Sequence, residues 1–185
     1  YDIVAADVDA GDTLTITAPT LPGWLVLTDN GGGAATLTGT PINDDVGDWP
    51  VTLQVRDTAG LTDTQTFTIT VANVNDAPTF TSAPIIVATE DVTYNYDIVA
   101  ADVDAGDTLT ITAPILPTWL TLTDNGDGTA TLIGTPTNND VGDWPVTLQA
   151  EDTAGATSTQ DFIIKVSASA PDEFFLYLPM VLKNR

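Results

Sequence analysis

Cysteine and histidine are both absent from the 185 residues, and lysine and arginine together number only four. Without cysteine there is no disulfide framework, no thiol nucleophile and no thiolate metal site. Without histidine the commonest general base and the commonest imidazole ligand are missing as well. So few cations exclude a nucleic-acid groove or an anionic-membrane surface, since both bind through clustered Lys and Arg. No run approaches the roughly 20 apolar residues of a membrane-spanning helix. No stretch holds a 3.6-residue apolar period long enough for a helix. No leader-like segment opens the sequence, so an exported protein is expected here in its mature form.

What the chain has is acid and apolar residues. Twenty-six Asp and Glu give a net charge of −22, and 43% of residues are hydrophobic, enough for real cores. Such acidity attracts hard divalent cations, Ca²⁺ above all, because these want oxygen ligands; the plainer reading is that it keeps the protein soluble. Abundant Thr with scarce Lys matches the composition of extracellular and cell-surface bacterial proteins, and that is the expected location.

The sequence repeats itself. Tyr1–Val71 aligns onto Tyr96–Val166 without a gap at an offset of 95, with 56 identities in 71 positions. That period is the size of one β-sandwich domain rather than of a solenoid repeat. Within the second copy, Tyr94–Ala101 alternates Tyr94, Tyr96, Ile98 and Ala100 against Asn95, Asp97 and Val99. Further short segments rich in Val, Ile, Thr and aromatics follow at Leu109–Thr112, Trp119–Thr123, Ala130–Ile133, Trp144–Ala150 and Gln160–Val166. Gly, Pro, Asn and Asp punctuate them, as at Asp124-Asn125-Gly126-Asp127-Gly128. The pattern predicts a Greek-key sandwich of about seven strands per copy. Trp24, Trp49, Trp119 and Trp144 fall at two equivalent positions per copy, inside apolar strand patterns. They read either as core and edge packing or as platforms on which sugars stack.

Three pieces of sequence carry a family resemblance: Ala101-Asp102-Val103-Asp104-Ala105-Gly106, Glu151-Asp152-Thr153-Ala154-Gly155, and Asn73-Val74-Asn75-Asp76-Ala77-Pro78. They resemble the A-x-D-x-D-x-G region, the late acidic turn and the D-x-N-D-N-A-P linker of cadherin-like domains of the bacterial, dystroglycan-type variety. The resemblance covers essentially the whole chain, twice; Asn73 stands where family linkers begin with Asp. It implies an all-β fold of two tandem cadherin/immunoglobulin-like Greek-key sandwiches. It also implies Ca²⁺ at the domain junction, stiffening a rod. The metal set so implied is Asn73, Asn75, Asp76, Asp102, Asp104 and Asp152, with Asp7, Asp9, Asp57 and Glu90 as further candidates. Side chains two apart in an extended segment share a face, which would aim Asp102 and Asp104 the same way.

The two copies differ at their start. The second is preceded by Pro78–Glu90, which in such folds is a first strand crossing between the sheets at a kink, here Pro84. The first has no counterpart, so residues 1–72 are expected to form a domain lacking its N-terminal strand, with an open groove. Residues 73–77 are the linker and 78–167 the second domain. Residues 168–185 are a C-terminal extension. Applying the same offset of 95 to Pro78–Glu90 sets Phe80 on Phe175, Pro84 on Pro179, and Ile85, Ile86 and Val87 on Met180, Val181 and Leu182. Both faces of the extension are apolar: Phe174, Leu176 and Leu178 on one, Phe175 and Tyr177 on the other. It reads as a third repeat cut after its first strand, a donor strand for the first domain of another copy. Other readings are a sorting signal, a fold-back onto its own first domain, or a boundary within a longer array.

The function expected is therefore that of a structural subunit of an extracellular filament or pilus-like fibre, a head-to-tail homopolymer. The alternative is an adhesion or carbohydrate-binding repeat of a larger secreted surface protein, with cell-surface or matrix glycans as partners. No nucleophile–base pair, metal triad or phosphate loop is legible, and no enzymatic activity is expected.

Overall fold

The computed structural model describes residues 1–9 and 11–169, and the described residues are strands, turns and two short 3-10 turns. The chain separates into two compact units, Tyr1–Asn75 and Asp76–Arg185. The boundary falls inside the expected linker. The extension Phe174, Phe175, Leu176, Tyr177, Leu178, Pro179, Met180, Val181 and Leu182 lies outside the described residues.

In the first unit six strands follow one another: β1 (Asp2–Val4), β2 (Thr15–Thr20), β3 (Leu25–Gly31), β4 (Ala34–Gly39), β5 (Gly47–Arg56) and β6 (Thr62–Val71). They form two three-stranded sheets, β1-β4-β3 and β2-β5-β6, with all pairings antiparallel. Apolar residues on alternate positions meet between the sheets: Ile3, Leu25, Ala35 and Leu37 from one, Ile16, Val51 and Leu53 from the other.

The second unit has eight strand segments. They are β7 (Thr79–Phe80), β8 (Val87–Thr89), β9 (Tyr94–Ala101), β10 (Thr110–Ile115), β11 (Leu120–Asp124), β12 (Thr129–Gly134), β13 (Gly142–Glu151) and β14 (Thr157–Ser167). Each sheet now has four strands, β11-β12-β9-β7 and β10-β13-β14-β8. The alternation along β9 is complete, with Tyr94, Tyr96, Ile98 and Ala100 all buried and the residues between them exposed. These pack with Leu109, Ile111, Leu132, Val146, Leu148, Ile164 and Val166 into one core. Close approach requires several of the glycines, Gly128 among them. Gly128 sits at φ 81°, and a Cβ there would lie 2.8 Å from the Ala100 carbonyl oxygen, whose own residue donates its N–H to Gly128 O.

The extra strand of each sheet comes from one segment. Thr79 and Phe80 pair antiparallel with Ala101 and Ala100. The chain then passes Pro84 and enters the opposite sheet, where Val87, Ala88 and Thr89 pair parallel with Lys165, Val166 and Ser167. In the first unit no described strand covers the matching edges of β1 and β6.

Candidate functional site

Where β9 ends, the chain turns instead of continuing. Asp104 donates its backbone N–H to Asp102 Oδ1 at 2.9 Å, and Gly106 at φ 98° brings the loop round so that Asp107 returns to the same place. One carboxylate oxygen from each of Asp102, Asp104 and Asp107 lies within 4.8 Å of the other two. The juxtaposition expected of Asp102 and Asp104 is present, but for a different reason: the strand stops at Ala101, so a turn and not a pleat gathers them. Asp107 was not anticipated; the Asp-x-Asp-x-x-Asp spacing around Gly106 is the signal that would have found it.

Their surroundings matter more than their number. Asp104 is 7% exposed, and its Oδ2 accepts the backbone N–H of Asp76 at 2.7 Å, closing the loop against the start of the unit. Its Oδ1 is buried without a hydrogen-bond partner, and so are Asp102 Oδ2 and Asp107 Oδ2. Asp107 spends its other oxygen on the Thr153 hydroxyl at 2.6 Å, which ties in the Glu151–Ala156 turn. Three inward acceptors with no donor cost free energy unless a cation supplies the missing partner. Oxygen donors on an irregular loop suit Ca²⁺, which tolerates flexible geometry, better than Mg²⁺. The residues present therefore fit the ion that the family resemblance implied.

The other expected ligands are not among the three clustered carboxylates. Asp152 is buried beside this loop, but its Oδ1 accepts the Ala156 N–H at 2.8 Å, and it is not one of the three clustered carboxylates. Asn73 and Asn75 belong to the first unit, Asp76 to the second. Glu90 precedes β9 while the cluster follows it, so the eight-residue length of that strand, roughly 25 Å, separates them. Glu90 Oε1 instead accepts the Ser169 backbone N–H and hydroxyl, both at 2.9 Å, and its Oε2 is buried without a partner. In the first unit Asp7, Asp9 and Asp12 form the equivalent group, but Asp7 and Asp9 are exposed. Asp57 holds its own turn by accepting the Leu61 N–H at 2.7 Å.

The first unit carries a second feature. An open groove of about 710 Å³ runs between β1 and β6, lined by Ile3, Ala5, Leu14, Ile16, Leu53 and Leu61 among others. A second hollow of about 680 Å³ adjoins Tyr1, Trp24, Leu37, Phe67 and Ile69. In the second unit the equivalent surfaces are covered by the unit's own entry segment. Phe80 and Ala88 pack onto the core, Ser82 bonds Tyr96 Oη at 2.7 Å, and Ile85 O accepts the Tyr94 hydroxyl at 2.8 Å.

The tryptophans are half-buried, and three of them make defined contacts. Trp119 meets Tyr94 edge-on at a centroid distance of 5.8 Å, and Trp49 and Trp144 donate their indole N–H groups to Asp45 O and Asp140 O at 2.6 Å.

Comparison with known proteins agrees with this architecture. Residues 1–72 and 77–167 each match the family model He_PIG, described as Putative Ig domain. The chain is thus an immunoglobulin-like tandem protein, and it belongs to that family. Among solved structures, PcdhgB3 EC1-4 is similar over 85% of this chain and 41% of its own, at 14% identity and TM-score 0.63. Protocadherin Gamma B2 extracellular cadherin domains 1-5 is similar over 84% and 32%, at 15% identity and TM-score 0.62. These likenesses establish a cadherin-type sandwich fold. The endo-fucoidan hydrolase MfFcnA4 from glycoside hydrolase family 107 shares 34% identity over 86% of this chain and 24% of its own, at TM-score 0.44. The chain spans less than half the length of each of these proteins. No curated protein matches it.

Proposed function

We propose that the chain is a structural subunit of an extracellular fibre, in which the groove of the first unit receives residues 173–184 of another copy. The observation that carries this reading is the correspondence between the units. The groove along β1 and β6 lies where the second unit holds its own Pro78–Glu90, and the C-terminal residues continue the same repeat register. An interface formed in this way is heterologous and need not close, so it propagates head to tail. Burying Phe175 and Tyr177, which fall on the half-buried Phe80 and Ser82, contributes roughly 3–6 kcal/mol gross, much of it offset by ordering the segment. Calcium at Asp102, Asp104 and Asp107 would supply cationic partners to the orphaned oxygens and lock the Asp76 turn. No described helix is long and apolar enough to cross a membrane.

Deleting residues 172–185 and examining the purified protein by electron microscopy tests the reading. Filaments from the full chain and none from the truncated one are expected; filaments that survive truncation refute it. If the full chain also stays monomeric, the groove belongs to a segment ahead of Tyr1 in a longer protein. That outcome favours the second reading, an adhesion or glycan-binding repeat of a larger surface protein. What supports this second reading is that the chain spans only 41% and 32% of its cadherin-fold neighbours.

A further inference from the structure

Two equivalent hairpins carry the same dipeptide and hold it differently. Asn30-Gly31 closes the β3–β4 hairpin, and Asn125-Gly126 the β11–β12 hairpin. In both, the Gly N–H donates to the aspartate two residues back, to Asp29 Oδ1 at 3.0 Å and to Asp124 Oδ1 at 3.2 Å. Both glycines sit at φ 77°. Glycine has no Cβ to obstruct the approach of its nitrogen to the side chain before it, so Asn-Gly is the dipeptide most open to cyclisation.

The two asparagine amides are held unequally. Asn125 Nδ2 donates to the Thr129 hydroxyl at 2.8 Å, and the Asn125 backbone N–H donates to Thr129 O at 3.0 Å. That hydroxyl in turn donates to Asp127 Oδ1, which also accepts the Thr129 backbone N–H at 3.0 Å. The Thr129 hydroxyl and N–H hold the Asp127 carboxyl below the usual carboxylate range. A charged acceptor thus anchors a series of bonds that ends on the Asn125 amide, and bonds in series strengthen one another. In the first unit Gly32 and Ala34 stand in place of Asp127 and Thr129. Asn30 Nδ2 donates instead to Thr36 Oγ1 at 2.9 Å, with no such anchor beyond it. Asn30 is also the residue skipped where the ladder shifts register between Asp29 and Gly31. Gly31, Gly32 and Gly33 follow it, all at positive φ, so no side chain restricts the backbone there.

We propose that Asn30 is a self-modifying site, converting through a cyclic imide to isoaspartate and aspartate, and that Asp127 and Thr129 guard Asn125 against the same reaction. The Gly31 nitrogen, giving its proton to solvent, bonds to Asn30 Cγ; the Cγ–Nδ2 bond breaks and ammonia leaves. Water then opens the imide. Attack at the main-chain carbonyl carbon leaves isoaspartate, with the backbone routed through the former side chain. Attack at Cγ leaves aspartate. No reactant beyond water is consumed. Either product adds a negative charge beside Asp29, and isoaspartate lengthens the backbone by one methylene where β3 meets β4. The bond from the Gly N–H to the aspartate is common to both copies and slows each alike. The difference lies in how the amide is held.

The two copies serve as each other's control. The full chain is incubated for weeks at neutral pH and digested. The peptides that contain residues 25–34 and 120–129 differ in sequence, so mass spectrometry follows each asparagine separately. Losing the net worth of one hydrogen bond raises the open fraction roughly three- to tenfold, and Asn30 should convert faster than Asn125 by that factor. Exchanging the guards should exchange the rates. Gly32→Asp with Ala34→Thr slows Asn30, and Asp127→Gly with Thr129→Ala speeds Asn125. A Cβ at Gly32 meets nothing within 4 Å, and aspartate adopts left-handed backbone more readily than most residues. Equal conversion at the two asparagines, no conversion at Asn30, or rates that stay with the position after the exchange would each overturn the proposal.

Discussion

Replacing Asp104 by Asn should change sign with calcium. The clustered carboxylate oxygens lie within 4.8 Å of one another. At an effective dielectric constant near 20, each such pair repels by about 3 kcal/mol. Asp104 takes part in two pairs, but Asp102 and Asp107 are half-exposed, and salt and solvent reduce the net relief to roughly 1–2 kcal/mol. In chelator, Asp104→Asn should therefore raise the melting temperature of the second unit, by roughly 5–15 °C at 4–8 °C per kcal/mol for a domain of this size. An ion at 100 times its dissociation constant stabilises by about 2.7 kcal/mol, and losing one charged ligand removes most of that. In millimolar Ca²⁺ the variant should accordingly melt below the parent. Differential scanning calorimetry in chelator and in Ca²⁺ reads both arms. The same substitution at Asp9, in the exposed group of the first unit, should move either arm less. An equal drop for Asp104→Asn in both buffers would refute the reasoning, because Asp104 would then act only as acceptor for the Asp76 N–H.

Two further expectations concern the second unit alone. Leu132 is fully buried at the centre of its core, so Leu132→Ala should cost about 2–5 kcal/mol, read as a lowered denaturant midpoint at unchanged slope; a loss under 1 kcal/mol would contradict the packing described. The Tyr94 phenol is pushed up by burial and then by Tyr96 beside it, so the fold keeps its proton after the unfolded chain has released it. That contribution to stability is whole below the ordinary tyrosine value near pH 10 and is lost as pH rises above it. Alkaline unfolding followed by fluorescence should be less steep in Tyr94→Phe, and an unchanged slope would count against it.

Much of the fold is legible because the chain states it twice. The 2-residue alternation from Tyr94 to Ala101 marks β9 and its buried face without ambiguity, and the repeat offset sets each strand of the first unit on its counterpart in the second. The split of Pro78–Glu90 between two sheets follows from Pro84, since proline cannot continue a ladder as donor. The acidic site was less legible. Sequence spacing named Asp102 and Asp104 but treated them as strand residues, so Asp107 was missed: its approach depends on a positive-φ glycine, Gly106, that reverses the loop. Asp152 and Glu90 look like ligands in sequence; in the fold Asp152 Oδ1 accepts from the Ala156 backbone of its own turn, and Glu90 Oε1 from Ser169, distant in sequence. Acid residues do not announce which of their oxygens a turn has already used.

The near-identity of the two units has a consequence for folding. With 56 of 71 aligned residues the same, almost every strand of one unit has a slot of matching shape in the other, and neighbouring copies on one chain meet at high local concentration. Such tandem β domains are prone to exchange strands while folding. The entry segment breaks the symmetry. Among the described residues Pro78–Glu90 adds one strand to each sheet of the second unit, and a unit that closes its core first withdraws its strands from exchange. Substitutions that make the two copies less alike should therefore lower the share of strand-exchanged species on refolding.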